Sequence, residues 1–270
     1  MQPISEQTSR YRARFEAAVA AGATDGGREE DRDVMRALAE APITRAGDVM
    51  YGSNAVFLLE FDAPDPQKAD ERLRAVYKPV RGERPLWDFP RNTLFLREVA
   101  TYLVDAAIGL GRVPPTVLRS GPLGPGSVQL FVHHAAVGRD ETSAATLEQQ
   151  LREVAALDAL VNNADRKRAH LLVTDGPNVR AIDNALTFLP YPRQRTALIA
   201  LGGTPLPDDT AERVRTLAGD AGRAAALVER LSRLLAPAEV EAFSARLREL
   251  ADDPVYPELD DWDGRPFEWW

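Results

Sequence analysis

The chain of 270 residues contains no cysteine, which excludes disulfide bonds, thiolate metal sites and S-palmitoylation. It has no apolar run of 18 residues, and residues 1–14 carry charges where a secretory signal peptide needs an apolar stretch. The basic residues form no long cluster and the formal net charge is −8, which argues against nucleic acid as a partner and against stable membrane association. These absences predict a cytoplasmic protein.

The hydrophobic content of 44% is enough for one large core or two small lobes. Apolar runs bounded by turn residues predict strands first, then one inserted helix, and a mostly helical pattern follows Val132. The predicted strands cover 55–61, 73–78, 116–119 and 127–132, and the predicted helices cover 91–109, 146–162 and two or three segments within 208–250. We therefore predict an α+β protein of two lobes with a ligand cleft between them.

The predicted organisation has four parts. They are a peripheral segment 1–34, a β-rich N-lobe 35–132, a helical C-lobe 133–255 and a Trp-rich tail 256–270. The tail holds Trp262, Trp269 and Trp270, which we expect to dock on the protein's own surface or on a partner. Acidic residues around these rings argue against insertion into a membrane.

Lys78 ends an apolar strand, where its ammonium group can meet a phosphate as a point charge. An edge-strand lysine that discourages aggregation explains the same position. Glu98 lies in the middle of the next predicted helix, on a partly apolar face. A carboxylate there needs a partner, for which Lys78 is the natural choice, although a solvated glutamate paired within its helix is the alternative.

The turn Gly52-Ser53-Asn54 lies between two candidate strands. Backbone amides in such a turn can cradle phosphate oxygens, and the hydroxyl of Ser53 can add a hydrogen bond. An ordinary hairpin turn accounts equally well for Ser53 and Asn54.

Asp165, His170 and Asp183 form the strongest pattern in the chain. Asp165 opens a polar loop after a predicted helix, and Asp183 ends an apolar run of strand type. The segments 170–174 and 179–183 can pair as a hairpin, which would bring His170 close to Asp183. The order suits phosphoryl transfer, with one residue orienting the acceptor and two holding a metal ion. A turn-capping aspartate and a buried structural histidine are the alternative.

Several short segments resemble the phosphatidylinositol 3-/4-kinase-related superfamily, and within it the type II phosphatidylinositol 4-kinases. The similar segments occur in the family's order between about residues 50 and 190. They are Tyr77-Lys78-Pro79, Arg97-Glu98-Val99, Val113-Pro114-Pro115-Thr116, Gln129-Leu130-Phe131-Val132, Asn163-Ala164-Asp165-Arg166 and Ala181-Ile182-Asp183-Asn184-Ala185-Leu186. The resemblance implies a two-lobed protein-kinase-like fold and a site for ATP with Mg²⁺ or Mn²⁺.

The resemblance also implies a role for each matching position. Lys78 would hold the α- and β-phosphates and pair with Glu98, Asp165 would be the catalytic base, and Asp183 would bind the metal. His170 stands where the family has a metal-binding asparagine, and an imidazole nitrogen suits Mn²⁺ better than Mg²⁺. The hinge that reads the adenine edge would consist of Gln129, Leu130, Phe131 and Val132.

The sequence thus predicts an ATP-dependent phosphotransferase whose acceptor is a hydroxyl of a soluble small molecule or a protein. A nucleotide-binding pseudokinase is the first alternative, and His170 and the single-glycine turn favour it. A phosphatidylinositol kinase is the second alternative. The absence of cysteine and of an extended basic surface after Asp183 weakens that lipid-kinase reading.

Overall fold

The computed structural model describes residues 15–16, 19, 27–49, 55–61, 72–134, 141–174 and 176–266. Within these ranges, the strands are Ile43–Val49 (β1), Val56–Phe61 (β2), Arg74–Pro79 (β3), Thr116–Gly121 (β4), Gly124–Leu130 (β5), Leu171–Thr174 (β6) and Asn178–Ala181 (β7). The helices are Arg32–Glu40 (α1), Leu94–Ile108 (α2), Glu141–Val161 (α3), Asp208–Gly219 (α4), Ala221–Leu234 (α5) and Pro237–Asp252 (α6). In these parts of the chain, no helix is both long and apolar enough to cross a bilayer.

The N-lobe is an antiparallel five-stranded sheet in the order β1-β2-β3-β5-β4. Side chains alternate between its two faces, as they must in a strand. On β3, Ala75 and Tyr77 are buried in the core, while Val76 and Lys78 lie on the opposite face. The alternation therefore places Lys78 on the open face of the sheet.

Helix α2 is the inserted helix of the N-lobe and is buried along nearly its whole length. A helix that is apolar on all sides belongs in a core. It begins three residues later than the sequence predicts, because Asn92 has a φ of 60° and so cannot continue a right-handed helix. It ends at Gly109, whose φ of 81° closes the helix in the left-handed conformation.

Arg97 links α2 to the C-lobe by hydrogen bonds. Its buried guanidinium donates to the carbonyl of Thr187 and to the carboxylate of Glu239 on α6. The same group lies 5.1 Å from the ring centre of Phe89. Because Glu98 is the next residue, these contacts fix the part of α2 that faces the sheet.

The C-lobe contains helices α3 to α6 and the hairpin of β6 and β7. The predicted hairpin is present, and the two or three helices predicted within 208–250 are three, α4 to α6. The described part of helix α3 starts at Glu141, five residues before the predicted N-cap Thr146. Its first turn has no large apolar side chain, so hydrophobic periodicity could not reveal it.

Trp262 is 88% exposed, so it does not dock on the protein's own surface, and its docking on a partner stays a prediction. The Asp260 carboxylate accepts the N–H groups of Trp262 and Asp263, at 2.8 and 3.0 Å. These bonds close a tight turn at the surface. Trp269 and Trp270 lie outside the described residues.

Candidate active site

A cleft of about 440 Å³ lies between the sheet and the β6–β7 hairpin. Most of the residues singled out in the sequence line it. These are Lys78, Glu98, Gln129, Leu130, Phe131, Val132, His170 and Asp183. The fold therefore brings together side chains that are more than 100 residues apart in the chain.

Lys78 is the central contact of the cleft. Its Nζ donates to Glu98 Oε1 and, at 2.8 Å, to Asp183 Oδ1. The second oxygen of Glu98 accepts the backbone N–H of Asn184 at 3.0 Å. Burial alone would lower the pKa of Lys78, but the attraction of Asp183 and Glu98 outweighs it and raises that pKa. Lys78 is therefore cationic throughout the physiological pH range.

Asp183 occupies an uncommon backbone conformation with a φ of 56°, of the kind that clusters at functional sites. The charge of Lys78 holds the pKa of Asp183 well below its usual range, against the opposing effect of burial. Its side chain is 49% exposed, and its second oxygen lies 3.3 Å from His170 Nε2. Asp183 is thus an ionised carboxylate open to a cation.

His170 is neutral at pH 7, because burial lowers its pKa and the nearby charge of Asp183 only partly offsets that effect. Its Nδ1 accepts the backbone N–H of Lys167 at 3.4 Å. This bond assigns the proton to Nε2, the nitrogen that lies 3.3 Å from Asp183 Oδ2. A metal bound at Nε2 would require the other tautomer and the loss of the Lys167 bond.

Asp165 lies beside the cleft and is not among the residues that line it. Its carboxylate is 2.8 Å from Lys167 Nζ, and its backbone N–H donates to Asn163 Oδ1 at 3.0 Å. Burial raises the pKa of Asp165, while Lys167 opposes that rise. Asp183 raises the same pKa further, so the two carboxylates sense each other's charge.

Arg166 holds this loop in place through buried hydrogen bonds, a role that the sequence did not predict. It is fully buried and makes two bonds of 2.9 Å to the carboxylate of Asp158 on α3. It also donates to the Ile182 carbonyl at 2.7 Å and to Asn184 Oδ1 at 2.6 Å. One side chain therefore ties the loop of Asp165 to the segment of Asp183. The sequence signal was its position directly after Asp165.

The hinge residues are already engaged with the protein. Gln129 Nε2 donates to Thr116 Oγ1 at 2.9 Å. The backbone N–H groups of Leu130 and Phe131 donate to carbonyls of Pro115 and Arg74, at 2.8 and 2.9 Å. Val132 follows them on the cleft lining, so it is the first hinge position whose amide can face a ligand.

The predicted phosphate turn with Ser53 and Asn54 lies outside the described residues. The two residues that follow it, Ala55 and Val56, do line the cleft. Among the described residues, no group of three or more acidic or histidine side chains is arranged to hold a metal ion. Asp183 and His170 offer two protein ligands, and Mg²⁺ sites commonly take the rest from phosphates and water.

Glu83 also lines the cleft, and sequence reasoning missed it. Its Oε1 accepts the N–H of Phe95 in the first turn of α2 at 2.9 Å, while its Oε2 is buried without a partner in the described structure. Burial raises the pKa of Glu83 from 4.5 to about 7, although bonds from backbone N–H groups oppose the rise. The folded protein therefore holds a proton here that the unfolded chain releases.

The proton on Glu83 makes the free energy of unfolding depend on pH. Between pH 4.5 and about 7 the folded state binds the proton more tightly, so this stabilisation is lost as the pH rises through about 7. Glu83→Gln keeps the acceptor for Phe95 and removes the charge. The difference in free energy of unfolding between this variant and wild type should therefore depend on pH. We expect the difference to favour the variant by roughly 1–3 kcal/mol more at about pH 8 than at about pH 5. Denaturant unfolding at both pH values measures this, with Glu229→Gln as an exposed control. Equal differences at both pH values would contradict it.

Comparison with known proteins identifies a relative of similar sequence and several solved structures of similar fold. The chain is 34% identical over 260 residues to Protein Rv2133c of Mycobacterium tuberculosis, covering 83% of this chain and 91% of that protein. The structure of hydra Fam20 with sugar matches with a TM-score of 0.56 and 18% identity, over 81% of this chain and 86% of that chain. The Golgi casein kinase with Mn and ADP bound matches with a TM-score of 0.54 and 16% identity, over 82% and 74%. No family model matches the chain.

These likenesses confirm the predicted α+β fold with a sheet-based N-lobe and a helical C-lobe, which is protein-kinase-like. The more specific resemblance to type II phosphatidylinositol 4-kinases stays a prediction.

Proposed function

Because the chain belongs to the same family as Protein Rv2133c and has a protein-kinase-like fold, we propose that it is an ATP-dependent phosphotransferase. Its acceptor is a hydroxyl group of a soluble small molecule or a protein. One observation carries the proposal: Lys78 joins Glu98 and Asp183 at one end of a cleft whose other end is the hinge. Such a cation beside an ionised carboxylate suits a bound triphosphate and its counter-ion.

Each residue of the cleft has a place in this proposal. The adenine edge meets the hinge at Val132, and Lys78 receives the α- and β-phosphates while Glu98 holds it in position. Asp165 orients the acceptor hydroxyl and takes its proton as the acceptor oxygen bonds to the γ-phosphorus of ATP. The bond from that phosphorus to the β-phosphate oxygen breaks, and ADP leaves. Its raised pKa makes it a better proton acceptor than an ordinary aspartate.

A divalent metal ion fits Asp183 as it stands, and His170 becomes a second donor once its proton moves from Nε2 to Nδ1. Asp183 is ionised and half exposed, and His170 Nε2 lies 3.3 Å from it. When bound, the ion would neutralise charge on the phosphates. The nitrogen donor favours Mn²⁺ over Mg²⁺, and the Golgi casein kinase structure contains Mn with ADP.

Asp165→Asn tests the proposed base. We expect the phosphotransfer or ATP-hydrolysis rate to fall by at least ~100-fold, because general-base catalysis typically contributes that much, while nucleotide affinity stays the same. Single-turnover kinetics and a thermal-shift titration with ATP measure the two quantities. Asp208→Asn, an exposed aspartate at the start of α4, is the control. Unchanged ATP turnover in Asp165→Asn would show that the mechanism is wrong.

A nucleotide-binding pseudokinase is the second candidate, and the state of His170 favours it. The Lys167 bond at Nδ1 leaves the proton on Nε2, the nitrogen 3.3 Å from Asp183, which opposes metal binding there. Stabilisation by ATP with Mn²⁺ or Mg²⁺, but no phosphate transfer to any acceptor, would favour this candidate.

The resemblance to phosphatidylinositol kinases supplies the third candidate. Two arginines, Arg193 and Arg195, follow Asp183, but they form no extended basic surface in the sequence. A lipid kinase should phosphorylate inositide vesicles. If the purified protein ignores those vesicles while it turns over ATP, this candidate fails.

A further inference from the structure

Two tryptophans are the most exposed large apolar residues in the described part of the chain. Trp87 is 85% exposed and Trp262 is 88% exposed. Single exposed apolar side chains are common on proteins and need no explanation. These two tryptophans need an explanation because both lie next to the same short segment, residues 191–196, beside the candidate active site.

Trp87 lies on the loop between β3 and α2. The guanidinium of Arg193 lies 5.6 Å from the centre of its ring. Next to it, the hydroxyl of Tyr191, a residue that is 44% exposed, donates to the Asp88 carbonyl at 3.4 Å. Trp87, Tyr191 and Arg193 therefore form one continuous aromatic and cationic surface.

Trp262 adjoins the same segment from the other side. Arg195 Nε donates to the carbonyl of Asp263 at 3.0 Å, and the Thr196 N–H donates to the carbonyl of Gly264 at 2.8 Å. An extended chain advances about 3.3 Å per residue. Arg193, which contacts Trp87, and Arg195, which contacts the turn of Trp262, are therefore no more than about 7 Å apart along the backbone.

The segment 191–196 is hydrogen-bonded to the loop that contains Asp165. The Arg195 N–H donates to the Asn163 carbonyl at 2.9 Å, and the Arg166 N–H donates to the Arg195 carbonyl at 3.0 Å. On the Trp87 side, Phe89 belongs to the same apolar cluster as Ala164. Trp87 and Trp262 thus flank the candidate catalytic loop.

The two sides differ in charge. The loop of Trp87 carries exposed Arg81, Arg84 and Arg91, while the stacked Arg193 is paired with Asp88 at 3.8 Å. The turn of Trp262 carries three exposed aspartates, which are Asp260, Asp261 and Asp263, and Asp261 is paired with Arg265 at 3.3 Å. A ligand lying across both sides meets positive charge at one end and negative charge at the other, which selects its orientation.

We propose that this surface binds a polypeptide acceptor in an extended form, with acidic residues at the Trp87 side and basic residues at the Trp262 side. The acceptor hydroxyl lies between them, at Asp165. Exposed Trp, Tyr and Arg are the residue types that contribute most to protein–protein binding energy. The proposal rests on the proposed phosphotransferase function and names its substrate class.

Two peptides of identical composition test the charge order. One has acidic residues before a central serine and basic residues after it, and the other has the reverse order. Fluorescence polarisation measures their binding without nucleotide, so the assay does not depend on phosphate transfer. We expect one peptide to bind at least tenfold more tightly than the other. Trp87→Ala and Trp262→Ala should each weaken the tighter peptide at least fivefold, and Leu123→Ala on the β4–β5 turn should not.

A charge exchange provides the decisive control. The double variant Arg91→Glu with Asp261→Arg conserves net charge and lowers the charge difference between the two sides, so it should markedly reduce the preference between the two peptides. Equal affinities in wild type, or a preference that the exchange leaves unchanged, would overturn the proposal. Displacement of the tighter peptide by maltotriose would assign the surface to a sugar ring and would also overturn it. If the peptide binds as expected but receives no phosphate from ATP, the docking surface stands and the phosphotransferase proposal fails.

Discussion

Lys78→Met should lower the rate of phosphate transfer by at least ~100-fold, as the loss of a positioned charge at a phosphoryl group typically does. Methionine preserves the length and the apolar stem of the side chain but removes the donor that joins Glu98 to Asp183. The pKa of Asp183 should then rise toward its usual range, since Lys78 is the main cause of its depression. Single-turnover kinetics with ATP and Mn²⁺ measure the rate.

Arg74→Met is the matched control for this variant. Arg74 lies at the other end of β3 and is exposed, so its loss removes one positive charge from the same strand outside the cleft. It should leave the rate within about twofold of wild type, because exposed ion pairs contribute little. A Lys78→Met protein that keeps the wild-type rate would rule out the proposed role of this lysine.

Arg166→Met should lower the free energy of unfolding by about 3–5 kcal/mol, the cost expected when one partner of a buried ion pair is removed. Arg166 and Asp158 have no exposed side-chain surface. The variant leaves the Asp158 carboxylate buried without its cation, and it also removes the bonds to Ile182 and Asn184. Denaturant unfolding measures the change.

The double variant Arg166→Met with Asp158→Leu separates the two contributions. If an unpaired carboxylate causes most of the loss, the double variant should recover part of the stability. Arg168→Met, an exposed neighbour in the same loop, should cost less than about 0.5 kcal/mol. A loss below about 1 kcal/mol in Arg166→Met would show that this network does not hold the loop.

The parts of the fold that sequence could predict depend on local pattern. The β6–β7 hairpin follows from two apolar runs around a Gly-Pro turn, and its pairing brings His170 next to Asp183. The Lys78–Glu98 contact followed from a simple physical need. A carboxylate on a partly apolar helix face requires a cation, and we expect Lys78, at the end of an apolar strand, to supply it rather than a residue of the same helix.

The remaining contacts depend on packing between distant elements. Arg97 and Glu239 are separated by 142 residues, and no periodicity connects them. Arg166 appeared in the sequence as one charge of a polar loop, yet it is buried because α3 presents Asp158 beneath it. Glu83 lies in a loop of ordinary composition, and only the position of α2 makes it a cap with an unusual pKa.

The central claim is that Lys78, Asp183 and His170 surround a metal-bound nucleotide. A crystal soaked with a non-hydrolysable ATP analogue and Mn²⁺ tests it most directly, because anomalous scattering locates the ion. We predict phosphate oxygens at Lys78 Nζ, the adenine at Val132, and one Mn²⁺ within about 2.0–2.3 Å of both Asp183 and His170 Nε2. Nucleotide with an ion on Asp183 alone would contradict the metal role of His170. A cleft that stays without nucleotide at saturating analogue would contradict the central claim itself.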